Sequence, residues 1–154
     1  DYPRLEKVRY LMLFQASVGL AYVDLWQFDL SKVEEVNGVY IYQNKRQKTG
    51  VEFCAVILQD GLDILKKYNN TLPMLSNQKY NQYLKEIGVL GNIKTPLTTH
   101  LLRRTYATLL LNSGVNISVV SKMLGHLQIA ITQKAYAKTT SDFVITEIKN
   151  RVVA

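Results

Sequence analysis

The chain has 154 residues, 47% of them apolar, and carries 19 Lys or Arg against 12 Asp or Glu, a formal net charge of +7 at pH 7. This composition supports one globular domain with ample core and excludes both a disordered chain and a small scaffold that needs covalent staples. One cysteine excludes an intrachain disulfide, two widely spaced histidines beside it make a poor zinc site, and no apolar stretch approaches the ~20 residues of a membrane span.

In chain order, Leu5 to Val18 reads as a strongly apolar helix and Asp24 to Phe28 as a second, short one. Val39 to Tyr42 and Val51 to Ile57 are β-branched and aromatic stretches joined by the basic segment Gln43 to Gly50, which predicts antiparallel strands. Cys54 lies in the second strand among apolar neighbours and is expected to be a buried thiol, while Tyr40, Tyr42 and Trp26 read as core or sheet packing. A helix follows over Gly61 to Tyr68, and Ser76 caps a fourth in which Tyr80, Tyr83, Leu84 and Ile87 recur at near-helical spacing. Pro73 and Pro96 punctuate loops. The expected fold class is therefore α+β, mainly α-helical, with a small antiparallel hairpin or sheet.

The chemistry-bearing residues are concentrated after Pro96. A helix starting at Thr98 or Thr99 places His100 and Arg103, three apart, on one face of its first turns. An anion there would meet free N–H groups, a guanidinium able to grip two oxygens, and an imidazole able to take or give a proton. Leu102, Tyr106, Leu109 and Leu110 continue the helix until Asn112-Ser113-Gly114 stops it. Ile117 to Leu124 is the next amphipathic helix, closed by Gly125, so His126 falls just beyond its C-terminus. Tyr136 follows between two alanines, with Lys134 and Lys138 nearby, in what reads as a basic surface setting. A phenol has a pKa of about 10, so it needs a base or a strong positive field to act as a nucleophile near neutrality.

The run from Thr98 to Tyr136, with its H-x-x-R, L-G-H and Y elements in order, resembles the catalytic box of tyrosine recombinases, the phage-integrase family. It is similar in particular to integrases of conjugative transposons, and the likeness extends from about Leu5 to Lys138. The resemblance implies a site-specific recombinase that integrates or excises a mobile element through a 3′-phosphotyrosyl intermediate, without ATP, metal or other cofactor. Tyr136 would attack the scissile phosphate, Arg103 would bind its non-bridging oxygens, His100 would accept the phenolic proton and His126 would hydrogen-bond the phosphate. A hairpin lysine protonates the leaving 5′-oxygen in this family. Lys48, in Lys48-Thr49-Gly50, is the choice for that role, with Lys45 and Arg46 as rivals because a turn this long does not fix which side chain reaches inward.

The resemblance further implies double-stranded DNA as partner, a homotetramer on DNA built from a chain that is monomeric in isolation, accessory DNA-bending proteins, and a cytoplasmic or nucleoid location. Residues 94–154 hold eight basic and two acidic residues and residues 1–93 eleven and ten, so the excess charge lies with the catalytic-box half, as a surface facing a polyanion requires. The chain begins at Asp1 and is expected to be a single catalytic domain, 1–154, lacking the N-terminal DNA-clamping domain of its family. Its tail, 141–154, with Phe143, Val144, Ile145, Ile148 and Val152 apolar, is expected to close on its own core or dock on a neighbouring protomer.

Two departures matter. Where the family carries its first arginine, in G-L-R-x-x-E/D-L, this chain has Gly19-Leu20-Ala21-Tyr22-Val23-Asp24-Leu25. Losing one of two guanidiniums costs on the order of 3 kcal/mol of transition-state stabilisation if nothing replaces it, and Arg46 and Arg104 are the candidate replacements. Tyr136 also follows His126 by one residue more than the commonest pattern, though Ala135 offers no competing nucleophile. Three plainer readings stand beside this one: Arg103 pairing only with Asp24 or Glu86, a helix-turn-helix reader over Leu110 to His126 that binds DNA without cutting it, and a type IB topoisomerase-like enzyme.

Overall fold

Pro3 opens α1 (Pro3–Val18), where its missing N–H costs nothing, and Leu5, Val8, Leu11, Phe14 and Val18 recur at three- and four-residue spacing to make the buried face. The computed structural model describes residues 2–136 and Ile148. Fully burying side chains of this size stabilises by roughly 1.5–3 kcal/mol each, and α1 is accordingly the helix against which α3 (Gln59–Lys67), α4 (Asn77–Leu90) and α5 (Thr99–Asn112) all pack. Gly19 ends it in the left-handed conformation, φ 72°, with its N–H on the Gln15 carbonyl. The short α2 (Tyr22–Trp26) follows at once.

One polar residue is fully buried on the inner face of α1. Gln15 donates from Nε2 to the Leu20 carbonyl at 2.9 Å and accepts from the Tyr80 hydroxyl at 3.0 Å. Burial pushes the Tyr80 phenol far above its ordinary pKa, so it remains a donor. Gln15 therefore ties the entry of α2 to α4 through the core.

The sheet has three antiparallel strands in the order β1-β2-β3: β1 (Val33–Val36), β2 (Val39–Lys45) and β3 (Glu52–Val56). β1 was not expected. Its signal is Asn37-Gly38, both at positive φ (52° and 79°), the turn that joins directly paired Val36 and Val39. Tyr42, Phe53 and Ala55 face the core, as side-chain alternation requires, and Cys54 therefore lies on the open face. The expectation of a buried thiol is corrected on that ground. Trp26 is corrected likewise: it is 53% exposed at the end of α2, resting against Tyr22 with ring centroids 6.1 Å apart.

Three later helices start on side-chain caps. Ser76, Thr98 and Asn116 accept from the backbone N–H of Lys79, Leu101 and Ser118 to open α4, α5 and α6 (Ile117–Met123). Leu109, placed by spacing on the apolar face of α5, is exposed, as is Val119 of α6. The next helix, α7 (Ile129–Tyr136), carries Tyr136 at its end. The main core lies among α1, α4 and the sheet, and a smaller one gathers Tyr106, Ala107, Leu110, Val120, Met123 and Leu124, with Tyr136 packed against it. The expected α+β, mainly helical class with a small antiparallel sheet is the class observed. Among the described residues no helix is long and apolar enough to cross a membrane. The tail 141–154 lies outside the described residues apart from Ile148.

At Gly19 a Cβ would enter the Tyr106 ring, on a backbone that disfavours side chains. Gly19→Ala should lower unfolding free energy by roughly 2–4 kcal/mol in urea titration, and a loss under ~0.5 kcal/mol would show that the junction relaxes freely.

Candidate active site

α5 sets two site residues apart by burial. His100 is exposed in its first turn, and Arg103, one turn on, is only 8% exposed. Arg103 forms neither of the ion pairs weighed from sequence: Asp24 pairs with Arg46 and Glu86 with Arg4. Its guanidinium instead donates from Nη1 to the Gly19 carbonyl at 2.8 Å and from Nη2 to the Leu124 carbonyl. Those carbonyls stand at the ends of α1 and α6, where helices leave acceptors unused. Burial, then the nearby Arg46 charge, lower the Arg103 pKa to about 10, so it stays cationic at neutral pH.

The β2–β3 turn contributes Arg46. Its Nη1 donates to the same Leu124 carbonyl at 2.9 Å, and its Nε lies 2.6 Å from Asp24 Oδ2, with side chains 13% and 2% exposed. That approach is an ion pair with poor hydrogen-bond alignment, since neither buried atom completes a hydrogen bond. Asp24 Oδ1 accepts from the Gln47 N–H at 2.8 Å, so one carboxylate holds the turn at two points. Gly125 has φ +62°, and a Cβ there would come within 2.8 Å of Arg46 Cγ. The glycine of L-G-H is thus needed both for its backbone and for the arginine stem lying over it.

His126 is half-buried. Its Nδ1 lies 2.7 Å from Oγ1 of the buried Thr132, and its backbone N–H donates to the Ser121 carbonyl. Burial lowers its pKa to about 4, helped by Arg103, Arg46 and His100, so the ring is neutral at pH 7. Tyr136 sits four residues after Thr132, on the same face of α7. It is half-buried, not at the open surface that the flanking alanines and lysines suggested, because its ring packs on the smaller core. Burial raises its pKa, while Arg103 and Arg104 pull it down; the Arg104 guanidinium carbon lies 5.8 Å from the ring centroid.

The structure thus brings Arg103 and Arg46 together at the Leu124 carbonyl, with His126 two residues beyond it and held through Thr132 to the face of α7 that carries Tyr136, while His100 stands exposed in the first turn of α5. Lys48 stands exposed in the turn, with no hydrogen bond or ion pair among the described residues, and Lys45 pairs outward with Glu52 at 3.5 Å. Of the three turn cations, Arg46 is the one directed inward. Sequence reasoning missed Thr132 and the anchoring role of Asp24; the signals for Asp24 are its place at the acidic position of G-L-R-x-x-E/D-L and its being a lone acid in the apolar stretch Leu20 to Trp26.

Residues 66–142 match the model of the phage integrase family. The chain belongs to that family. A tyrosine recombinase of Agathobacter rectalis is 31% identical to this integrase-family chain, over 76% of the chain and 43% of the relative. The chain therefore spans less than half the length of that relative. The Tn1549 transposon integrase, solved with transposon right end DNA, superposes with a TM-score of 0.68 at 18% identity, covering 100% of this chain and 61% of that one. The catalytic domain of bacteriophage HP1 integrase gives a TM-score of 0.63 at 19% identity, covering 99% of this chain and 93% of that domain. At these identities the two structures establish the fold, that of a tyrosine recombinase catalytic domain.

Because His126 titrates lower when folded than its ordinary 6.5, the unfolded chain takes up the proton first as pH falls. Its contribution to stability is constant above about pH 6.5, is lost between there and about 4, and changes no further below. An NMR titration should find the His126 ring neutral down to about pH 5, and a midpoint at or above 6.5 would show that burial and the two guanidiniums do not govern it.

Proposed function

We propose that this domain cleaves and rejoins double-stranded DNA at defined sites through a tyrosine-linked intermediate, as part of a recombinase that integrates or excises a mobile element. The observation that carries this is the pair of buried guanidiniums, Arg103 and Arg46, on the Leu124 carbonyl, next to His126, whose partner Thr132 lies one helical turn before Tyr136 on α7. Two cations, Arg103 and Arg46, meet at the Leu124 carbonyl and one buried carboxylate, Asp24, pairs with Arg46 alone, so the pocket carries surplus positive charge suited to a phosphodiester.

In the proposed reaction the Tyr136 hydroxyl oxygen attacks phosphorus, its proton passes to His100, and the bond to the 5′-oxygen breaks to leave a 3′-phosphotyrosyl link. Burial raises the Tyr136 pKa, so proton transfer has to accompany attack, and an exposed imidazole at the rim suits that role. Arg103 stabilises the charge that develops on the non-bridging oxygens, from a position already fixed by two carbonyls. The neutral His126 adds a hydrogen bond to the phosphate. Lys48, exposed on the anchored β2–β3 turn, gives the leaving 5′-oxygen its proton. The link keeps the bond energy, so the reverse attack by a partner strand's 5′-hydroxyl needs no ATP or metal. Exchange between two duplexes calls for a tetramer on DNA, helped by bending proteins, in the cytoplasm or nucleoid.

A purely DNA-binding helix-turn-helix reading fits less well, because α6, which would be the reading helix, packs against β3 and α7. The Tn1549 relative's complex with transposon right end DNA supports the mobile-element reading.

The test is a nicked duplex bearing the end of the DNA element that encodes the chain, incubated without metal with the full-length protein and with Tyr136→Phe. A covalent adduct abolished by the substitution is the expected result. Specific binding without adduct would overturn the cleavage reading, and relaxation of arbitrary supercoiled plasmid would point to topoisomerase chemistry instead.

A further inference from the structure

The segment that resembles the family's G-L-R-x-x-E/D-L has Ala21 where the arginine belongs, and Ala21 only caps α2 through its backbone. An apolar methyl there leaves the proposed phosphate site one cation short. The geometry around Leu124 supplies another. Arg46 and Arg103 reach the same carbonyl oxygen, one from the β2–β3 turn and one from α5. Their charges are therefore a few ångströms apart, in a place where both side chains are largely buried.

Such an arrangement is unfavourable by itself. Two like charges held together in low dielectric repel, and Asp24 neutralises only one of them. A monoanion resting against both guanidiniums removes the imbalance. Arg46 has donors left for it: Nε and Nη1 face Asp24 and Leu124, and Nη2 has no partner among the described residues. Three contacts fix its aim, namely the stem over Gly125, the ion pair to Asp24, and the carbonyl of Leu124. Arg104, the other basic residue near the site, is exposed and lies over the Tyr136 ring, without a recorded contact to Leu124.

We propose that Arg46 is the second phosphate-gripping guanidinium of this site, delivered from the β2–β3 turn in place of the side chain missing at Ala21, with Asp24 as its positioning residue. The inference rests on the cleavage reading above. Because the cation comes from the turn, the turn has to be docked before the phosphate is gripped, which ties its placement to the reaction.

The experiment measures the rate of covalent adduct formation by the full-length protein on the nicked duplex, in two versions: the ordinary scissile phosphodiester, and a methylphosphonate in which one charged non-bridging oxygen is replaced by a neutral methyl. Arg46→Ala should bind the duplex but form adduct roughly 100-fold or more slowly. On the methylphosphonate that deficit should shrink to within about tenfold, because a neutral phosphate no longer needs the second cation. Arg46→Lys should fall between, and Ala21→Arg added to Arg46→Ala should recover part of the lost rate. Arg46→Ala leaves the Asp24 carboxylate buried and unpaired, so Arg46→Ala/Asp24→Asn serves as a second variant, with its fold checked by thermal melting. A folded variant that loses the same factor on both substrates would make Arg46 merely structural, and one that cleaves the phosphodiester at the native rate would remove it from the site. Either result overturns this inference while leaving cleavage intact. Failure of the native protein to form any adduct overturns the cleavage reading, and this inference with it.

Discussion

A single carbonyl oxygen, that of Leu124, organises the functional end of the molecule. It terminates α6 and receives N–H groups from both Arg103 and Arg46. A buried charge is tolerated only where its donors are engaged, and the unused acceptors at two helix ends meet that condition for Arg103. The end of α1, the end of α6, the first turns of α5 and the β2–β3 turn are consequently locked in one relation. Removing the end of α6 would take a partner from both guanidiniums at once, and removing the β2–β3 turn would leave the Asp24 carboxylate buried without its counter-charge.

The same burial sorts the ionisable groups by charge state. Arg103 keeps its proton even with its pKa lowered to about 10, while His126, beside the same guanidiniums, loses its charge because its pKa falls to about 4. Fixed cations and a neutral imidazole thereby stand side by side, the division that the proposed attack on a phosphodiester calls for. Tyr136 lies between these influences, raised by burial and lowered by Arg103 and Arg104. The Thr132–His126 contact joins the helix bearing the phenol to the loop bearing the imidazole, so the two groups hold their places together.

Much of this was legible in the chain. The apolar spacing of Leu5 to Val18, the caps Ser76 and Thr98, and the stop at Asn112-Ser113-Gly114 are local signals, and the helices lie where those signals put them, within two residues at most ends. Asn37-Gly38 was an equally local sign of the β1–β2 hairpin, hidden because Val33-Glu34-Glu35-Val36 is too short and acidic to read as a strand by composition. Cys54 shows the limit of composition in the opposite direction: its neighbours are apolar, but alternation in β3, once paired, turns it to the open face.

The order and spacing of His100, Arg103, His126 and Tyr136, together with the loss of arginine at Ala21, were set by the sequence alone, because helical periodicity and turn residues act over a few positions. Which cation of Lys45, Arg46 and Lys48 turns inward, how deeply Tyr136 is buried, and what Arg103 binds were decided only by the tertiary structure. The reason is physical. These outcomes depend on Asp24, Gly19 and Leu124, which are far apart along the chain, and on an effective dielectric that exists only after the core has closed around them.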